Sequence, residues 1–124
     1  MTSILLIEDH SDIRENTVEL LELSGYKLLV ATNGLEGISI AQKELPHVIL
    51  CDIMMPFATG YEVITALKND SRTSGIPFIF LTASTEQREI QTGMDMGATA
   101  YIRKPFEIEE LLQAISQCLN TTVS

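Results

Sequence analysis

A chain of 124 residues, 45% hydrophobic and 20% charged, can bury one core and is too apolar to stay disordered. Seventeen acidic residues against eight basic ones give a net charge of −9, which repels nucleic acid and anionic membrane and argues against direct DNA binding. Apolar runs stay well short of a membrane span, and no basic-then-apolar secretion signal opens the chain, so a cytoplasmic protein is expected.

The first strand is expected at Ser3–Ile7, and it runs directly into Glu8-Asp9. A helix follows, with Ser11 as the expected N-cap and Gly25 just past its end, and with Ile13, Thr17, Leu20, Leu21 and Ser24 on one face. The second strand is Lys27–Ala31, and the second helix, after Asn33-Gly34, is expected to turn Leu35, Ile38 and Ala41 inward. The third strand, Val48–Cys51, ends on Asp52. The third helix spans Gly60–Lys68, with Thr59 able to cap it and Val63, Ile64 and Leu67 inward. The fourth strand is Phe78–Leu81, with Thr82 at its end.

The fourth helix, about Glu86–Met96, is the weakest. Its inward set is only Ile90, Met94 and Gly93, and a helical glycine costs about 1 kcal/mol relative to alanine. Such a helix is either merely marginal or an element that moves. The fifth strand is Ala100–Ile102, followed by Arg103-Lys104, and the last helix, after Pro105, carries the stripe Ile108, Leu111, Leu112, Ile115 and Leu119. A single domain is expected over residues 1–124, with its core at about 3–119 and a loose tail from Asn120. Cys51 and Cys118 lack the spacing of a metal site or redox pair and read as buried thiols.

Strand and helix alternating five times predict a parallel sheet covered by helices on both faces. Ligands of such sheets bind at the carboxyl ends of the strands, where strand order reverses. Glu8, Asp9, Asp52, Thr82 and Arg103-Lys104 all fall on that rim. Three carboxylates brought together repel one another and call for a cation, and magnesium (Mg2+) takes such oxygens. A carboxylate is also a nucleophile toward phosphorus, and Asp52, alone on the third strand, is the best placed. Lys104 can neutralise phosphoryl oxygens, and the Thr82 hydroxyl can donate to one. Each residue has a duller reading: Asp52 as a turn residue, Glu8-Asp9 as helix-dipole partners, Thr82 bonded to its own backbone, Lys104 solvated, Tyr101 as ordinary core or surface. Their joint placement on one rim favours the common site.

These motifs resemble the response-regulator receiver domain of two-component signalling, over about Ser3 to Leu119. The resemblance is carried by Ile4-Leu5-Leu6-Ile7-Glu8-Asp9, by Asp52-Ile53-Met54-Met55-Pro56 with Gly60-Tyr61-Glu62, by Leu81-Thr82-Ala83, and by Tyr101-Ile102-Arg103-Lys104-Pro105-Phe106. It implies a flavodoxin-like (βα)5 three-layer sandwich with strand order 2-1-3-4-5. It implies that Asp52 takes a phosphoryl group from a sensor histidine kinase or phosphotransfer protein, with Mg2+ held by Glu8, Asp9, Asp52 and the backbone carbonyl of Met54. Thr82 and Lys104 would bind the phosphoryl oxygens, Tyr101 would turn inward as Thr82 moves, and the Lys104-Pro105 bond would be cis. It implies Mg-dependent self-phosphorylation and self-dephosphorylation rather than a turnover enzyme. The output would be a downstream protein or a fused domain, and a phosphorylation-dependent homodimer stays open.

Two positions depart from the pattern: Thr59 stands where the family often has an acid, and Met54 with Ser84 flanks the site where side chains influence water attack. Met54 cannot orient water, so slow dephosphorylation is expected. A flavin-binding alternative would need a glycine- and hydroxyl-rich first loop, but Glu8-Asp9-His10-Ser11-Asp12 is acidic. A haloacid-dehalogenase-type phosphatase would carry its nucleophile after the first strand, with a second Asp two residues on, a pattern missing here.

Overall fold

The computed structural model describes residues 1–83 and 86–123, with side chains through residue 120. Five strands, β1 Ser3–Ile7, β2 Lys27–Ala31, β3 Val48–Asp52, β4 Phe78–Thr82 and β5 Ala100–Arg103, alternate with five helices. The helices are α1 Ser11–Leu23, α2 Gly34–Glu44, α3 Gly60–Lys68, α4 Gln87–Asp95 and α5 Ile108–Val123. All strand pairs are parallel, in the order β2-β1-β3-β4-β5, giving the flavodoxin-like (βα)5 sandwich.

The period of two along each strand sorts the core into two layers. Leu5, Ile7, Ile49, Cys51, Phe78 and Phe80 pack with Ala41 of α2 and Val63, Ile64 and Leu67 of α3. Ile4, Leu6, Val48, Leu50, Ile79, Leu81 and Ile102 pack with Leu21 of α1 and Leu111, Ile115 and Cys118 of α5. Burying one such aliphatic or aromatic side chain contributes about 1.5–3 kcal/mol, so the fully buried β3 and β4 anchor the fold.

Several local expectations are corrected. His10, not Ser11, is the N-cap of α1; its carbonyl accepts the Arg14 N–H at 2.9 Å, and its side chain makes no cap bond. Ser24, at the end of the face that Ile13, Thr17, Leu20 and Leu21 share, is exposed, with its hydroxyl donating to the Leu20 carbonyl at 3.0 Å. Gly25 follows with φ +96°, the left-handed turn expected at that position. In α2, Leu35 is 58% exposed, and the buried residues are Gly34, Gly37 and Ala41. A Cβ at Gly37 would collide with Ile7 Cδ1 and one at Gly34 with the Ala58 carbonyl, so the helix backbone comes close at these two glycines, while Ile38, inward as expected, and Ile40 pack against the core beside them.

Gly93 is likewise the buried contact of α4, where a Cβ would sit 2.8 Å from the Phe80 ring, while Met94 is exposed. Strands β3, β4 and β5 each run one residue further than expected, taking in Asp52, Thr82 and Arg103. Helix α5 continues to Val123, past Asn120, where a loose tail is expected.

Candidate functional site

Strand order reverses at β1, whose neighbours are β2 on one side and β3 on the other. Ile7 pairs with Cys51, so Glu8 and Asp52 come side by side, one position further along. Asp52 pairs with Leu81 on its other side, and Thr82 pairs with Arg103. The Lys104 N–H donates to the Thr82 carbonyl at 2.7 Å, which fixes where the lysine side chain departs. The Lys104-Pro105 bond is cis, as expected.

The acids do converge. One donor atom each from Glu8, Asp9, His10 and Asp52 lies within 4.8 Å of the others. Glu8 is fully buried and Asp52 is 5% exposed. Lys104 Nζ donates to Glu8 Oε1 at 2.5 Å and stands 3.3 Å from Asp52 Oδ2. Three carboxylates against one ammonium leave two negative charges in a largely buried pocket, the balance a divalent cation neutralises. Asp9 Oδ1 is buried and makes no hydrogen bond among the described residues, a further sign of a site built for an ion. The carboxylate set therefore fits Mg2+, which takes one or two carboxylates and completes its shell with water.

Electrostatics separate the two buried acids. Burial, then the neighbouring Glu8 charge, push the Asp52 carboxyl up to about 6 against the pull of Lys104. Burial also pushes Glu8 upward, but the hydrogen bond and charge of Lys104, with hydrogen bonds involving Asp52 and the His10 N–H, hold it below the usual carboxylate range. A proton entering the pair therefore sits on Asp52. Cys51 is no competing nucleophile: burial and the charges of Asp52 and Glu8 push its thiol well up, so it stays protonated.

The loop after β3 is held from two sides. Thr59 caps α3 in a capping box with Glu62, so the hydroxyl does the work expected of it. The Gly60 N–H donates to the Ile53 carbonyl at 2.8 Å, and a Cβ at Gly60 would lie 2.5 Å from the Asp52 carbonyl oxygen. Phe57, between them, takes a left-handed φ of 72°, uncommon for a bulky residue, and its ring is exposed.

Asp52, Thr82, Lys104, His10 and Met54 all border one cavity of about 870 Å³, which continues between Ile13, Asn16, Thr17 and Leu20 of α1 and Pro105, Phe106 and Ile108 after β5. Tyr101 lies outside that lining, exposed on β5 at the register of Phe80. The side chain of Met54 is exposed, and Ser84 lies outside the described residues.

Three residues at the site are not among the sequence-derived candidates. Arg14 donates from Nη1 to the carbonyls of Glu8 and Asp9, at 3.0 and 3.4 Å, and so holds the acidic loop; only its place in the first turn of α1 hints at this. Gly60 is the close-approach position described above. His10 adjoins the acidic pair in sequence, and that adjacency is the available signal.

The family model for the response regulator receiver domain matches residues 4–116. The chain is 35% identical over 122 residues to the DNA-binding dual master transcriptional regulator RpaA of Synechocystis, covering 98% of this chain and 51% of that protein. It is 35% identical over 119 residues to response regulator SaeR of Staphylococcus aureus, covering 96% and 51%. The chain thus spans about half the length of these relatives. Among solved structures, chemotaxis response regulator CheY4 of Vibrio cholerae superimposes with a TM-score of 0.90 at 34% identity, over 96% of this chain and 99% of that one. A putative response regulator from Chloroflexus aurantiacus gives 0.92 at 28% identity, over 96% and 98%.

Fold, switch point and acidic rim define a signalling domain of two-component systems. The chain belongs to the response regulator receiver domain family, whose function is to accept a phosphoryl group. No described helix is long and apolar enough to cross a membrane.

Proposed function

We propose that Asp52 is the phosphoryl acceptor of this receiver domain, with Mg2+ held by Glu8, Asp9, Asp52 and the backbone carbonyl of Met54. The ion, when bound, neutralises charge on the transferring phosphoryl oxygens. The observation that carries this reading is a buried Asp52 carboxylate with Lys104 Nζ 3.3 Å away and two further acids within reach of one ion. An Asp52 oxygen attacks the phosphorus of a phosphohistidine on a sensor kinase or phosphotransfer protein. The new P–O bond forms as the P–N bond breaks, and the imidazole leaves with the electron pair. Lys104, already beside Asp52, and the Thr82 hydroxyl then hold the phosphoryl oxygens.

Phosphorylation adds about −1.5 to −2 charges and three acceptor oxygens. Thr82 is drawn toward them, and Tyr101 turns from its exposed position into the vacated space. Helix α4 offers little resistance, because Gly93 is its one buried residue. The reshaped α4–β5–α5 surface then meets a downstream protein, a fused output domain or a second copy. Residues 1–124 work as one receiver unit in the cytoplasm, taking up and losing the phosphoryl group themselves without turning over a separate substrate. Incubation with acetyl phosphate and Mg2+, followed by intact mass measurement, should show one added phosphoryl group, lost in Asp52→Ala. Equal labelling of that variant refutes the reading.

A further inference from the structure

A fourth donor stands among the three carboxylates. His10 Nδ1 lies 3.3 Å from Glu8 Oε2 and 3.3 Å from Asp9 Oδ1. The His10 backbone N–H also points to Glu8 Oε2, at 3.3 Å. The imidazole makes no cap bond to α1 and the side chain is 64% exposed; its aim is set by the hydrogen bond between Nδ1 and Glu8 Oε2. It turns toward the buried Asp9 Oδ1, which makes no hydrogen bond among the described residues.

An octahedral ion with ligands at about 2.1 Å separates adjacent donors by about 3.0 Å and opposite ones by about 4.2 Å. The 3.3 Å spacings of Nδ1 from the two carboxylate oxygens are close to those of adjacent ligands, and the 4.8 Å spread of the cluster needs only a small contraction. Nδ1 is free to bind when the ring proton sits on Nε2. Imidazole suits the later transition ions, whereas Mg2+ takes oxygen and water.

We infer that His10 Nδ1 is a direct ligand in this pocket, and that it raises the preference for ions such as Co2+ and Ni2+ over Mg2+ beyond what the carboxylates alone provide. This rests on the pocket being the cation site proposed above. The protein's other histidine, His47, lies at the opposite end of the sheet, where Nδ1 accepts the Ser3 N–H at 3.0 Å.

Titration calorimetry on untagged protein tests the inference, with Mg2+ and Ni2+ as separate probes on the wild type, His10→Ala and His47→Ala. His10→Ala should weaken Ni2+ binding by about tenfold or more, the scale of a lost metal partner, and leave Mg2+ binding within about twofold. Spin-echo modulation of bound Mn2+ should show a directly coordinated imidazole nitrogen in the wild type and in His47→Ala, and none in His10→Ala. Equal loss of Ni2+ and Mg2+ affinity in His10→Ala, no loss at all, or loss of the Ni2+ site in His47→Ala instead, overturns the assignment. A wild type that binds no Mg2+ would instead count against the proposed phosphoryl site itself, so the two failures are distinguishable.

Discussion

Replacing Asp52 by Asn should make the ion-free protein more stable, although it removes the residue on which signalling is proposed to depend. The Asp52 carboxyl is pushed up from 3.8 to about 6 by burial and by Glu8, against Lys104. A folded pKa above the unfolded one means that the fold favours the protonated form. Asp52 therefore subtracts stability fully above pH 6, progressively less as the pH falls, and almost nothing below the unfolded value. At about 1.36 kcal/mol per unit, the shift has a ceiling of about 3 kcal/mol. The opposite shift of Glu8 and screening at the cavity mouth lower the expected gain to about 1–2 kcal/mol. Asparagine keeps the side-chain volume, and Lys104 keeps Glu8 as its partner at 2.5 Å, so no buried charge is orphaned. Urea unfolding in a chelator at pH 8 should show the gain, and at pH 5 the gain should fall to about half. Saturating Mg2+ should close the gap by stabilising the wild type, about 2.7 kcal/mol at a hundredfold excess over Kd. An Asn variant less stable than the wild type at pH 8, or a gap independent of pH, refutes the reasoning.

Lys104→Ala leaves the fully buried Glu8 without its cation and should cost about 3–5 kcal/mol in urea unfolding without divalent ions, partly recovered by Mg2+; an unchanged midpoint would contradict it. Gly60→Ala forces a Cβ to within 2.5 Å of the Asp52 carbonyl oxygen, so it should lose about 1–3 kcal/mol of stability and take up phosphoryl from acetyl phosphate more slowly. Normal uptake in that variant would show that the β3–α3 loop does not set the position of Asp52. Met54→Asn puts a water-binding amide beside the site, and the phosphorylated form should decay about tenfold faster, the worth of one hydrogen bond of about 1.4 kcal/mol. An unchanged decay rate, read by mass, would remove Met54 from the account.

The architecture was readable because β3 and β4 are continuous apolar runs, the habit of strands covered on both faces, and because helices fill every gap between strands. Apolar periodicity failed where glycine makes the contact. Leu35 counts as a core residue by pattern, yet it is exposed, and the helix turns Gly37 to Ile7 of the sheet and Gly34 to Ala58 of the β3–α3 loop, where there is no room for a Cβ. Gly93 against Phe80 repeats the lesson in α4.

At the site, strand ends foretold the meeting of Glu8, Asp9, Asp52 and Lys104, because parallel strands align their carboxyl ends. The burial of Glu8 and its close pairing with Lys104 were not readable, since they depend on side-chain reach across the rim. The loop-holding role of Arg14 was missed for the same reason, as a helix residue bonding back to two carbonyls has no pattern of its own.

The central claim is that one aspartyl oxygen takes the phosphoryl group. Borohydride reduction of the acetyl phosphate-treated protein, with peptide sequencing by mass spectrometry, reads the acceptor directly, because an aspartyl phosphate is reduced to homoserine. Homoserine at position 52, formed only when Mg2+ is present, is the expected result. Reduction product at Glu8 or Asp9, or at position 52 without a divalent ion, would contradict it.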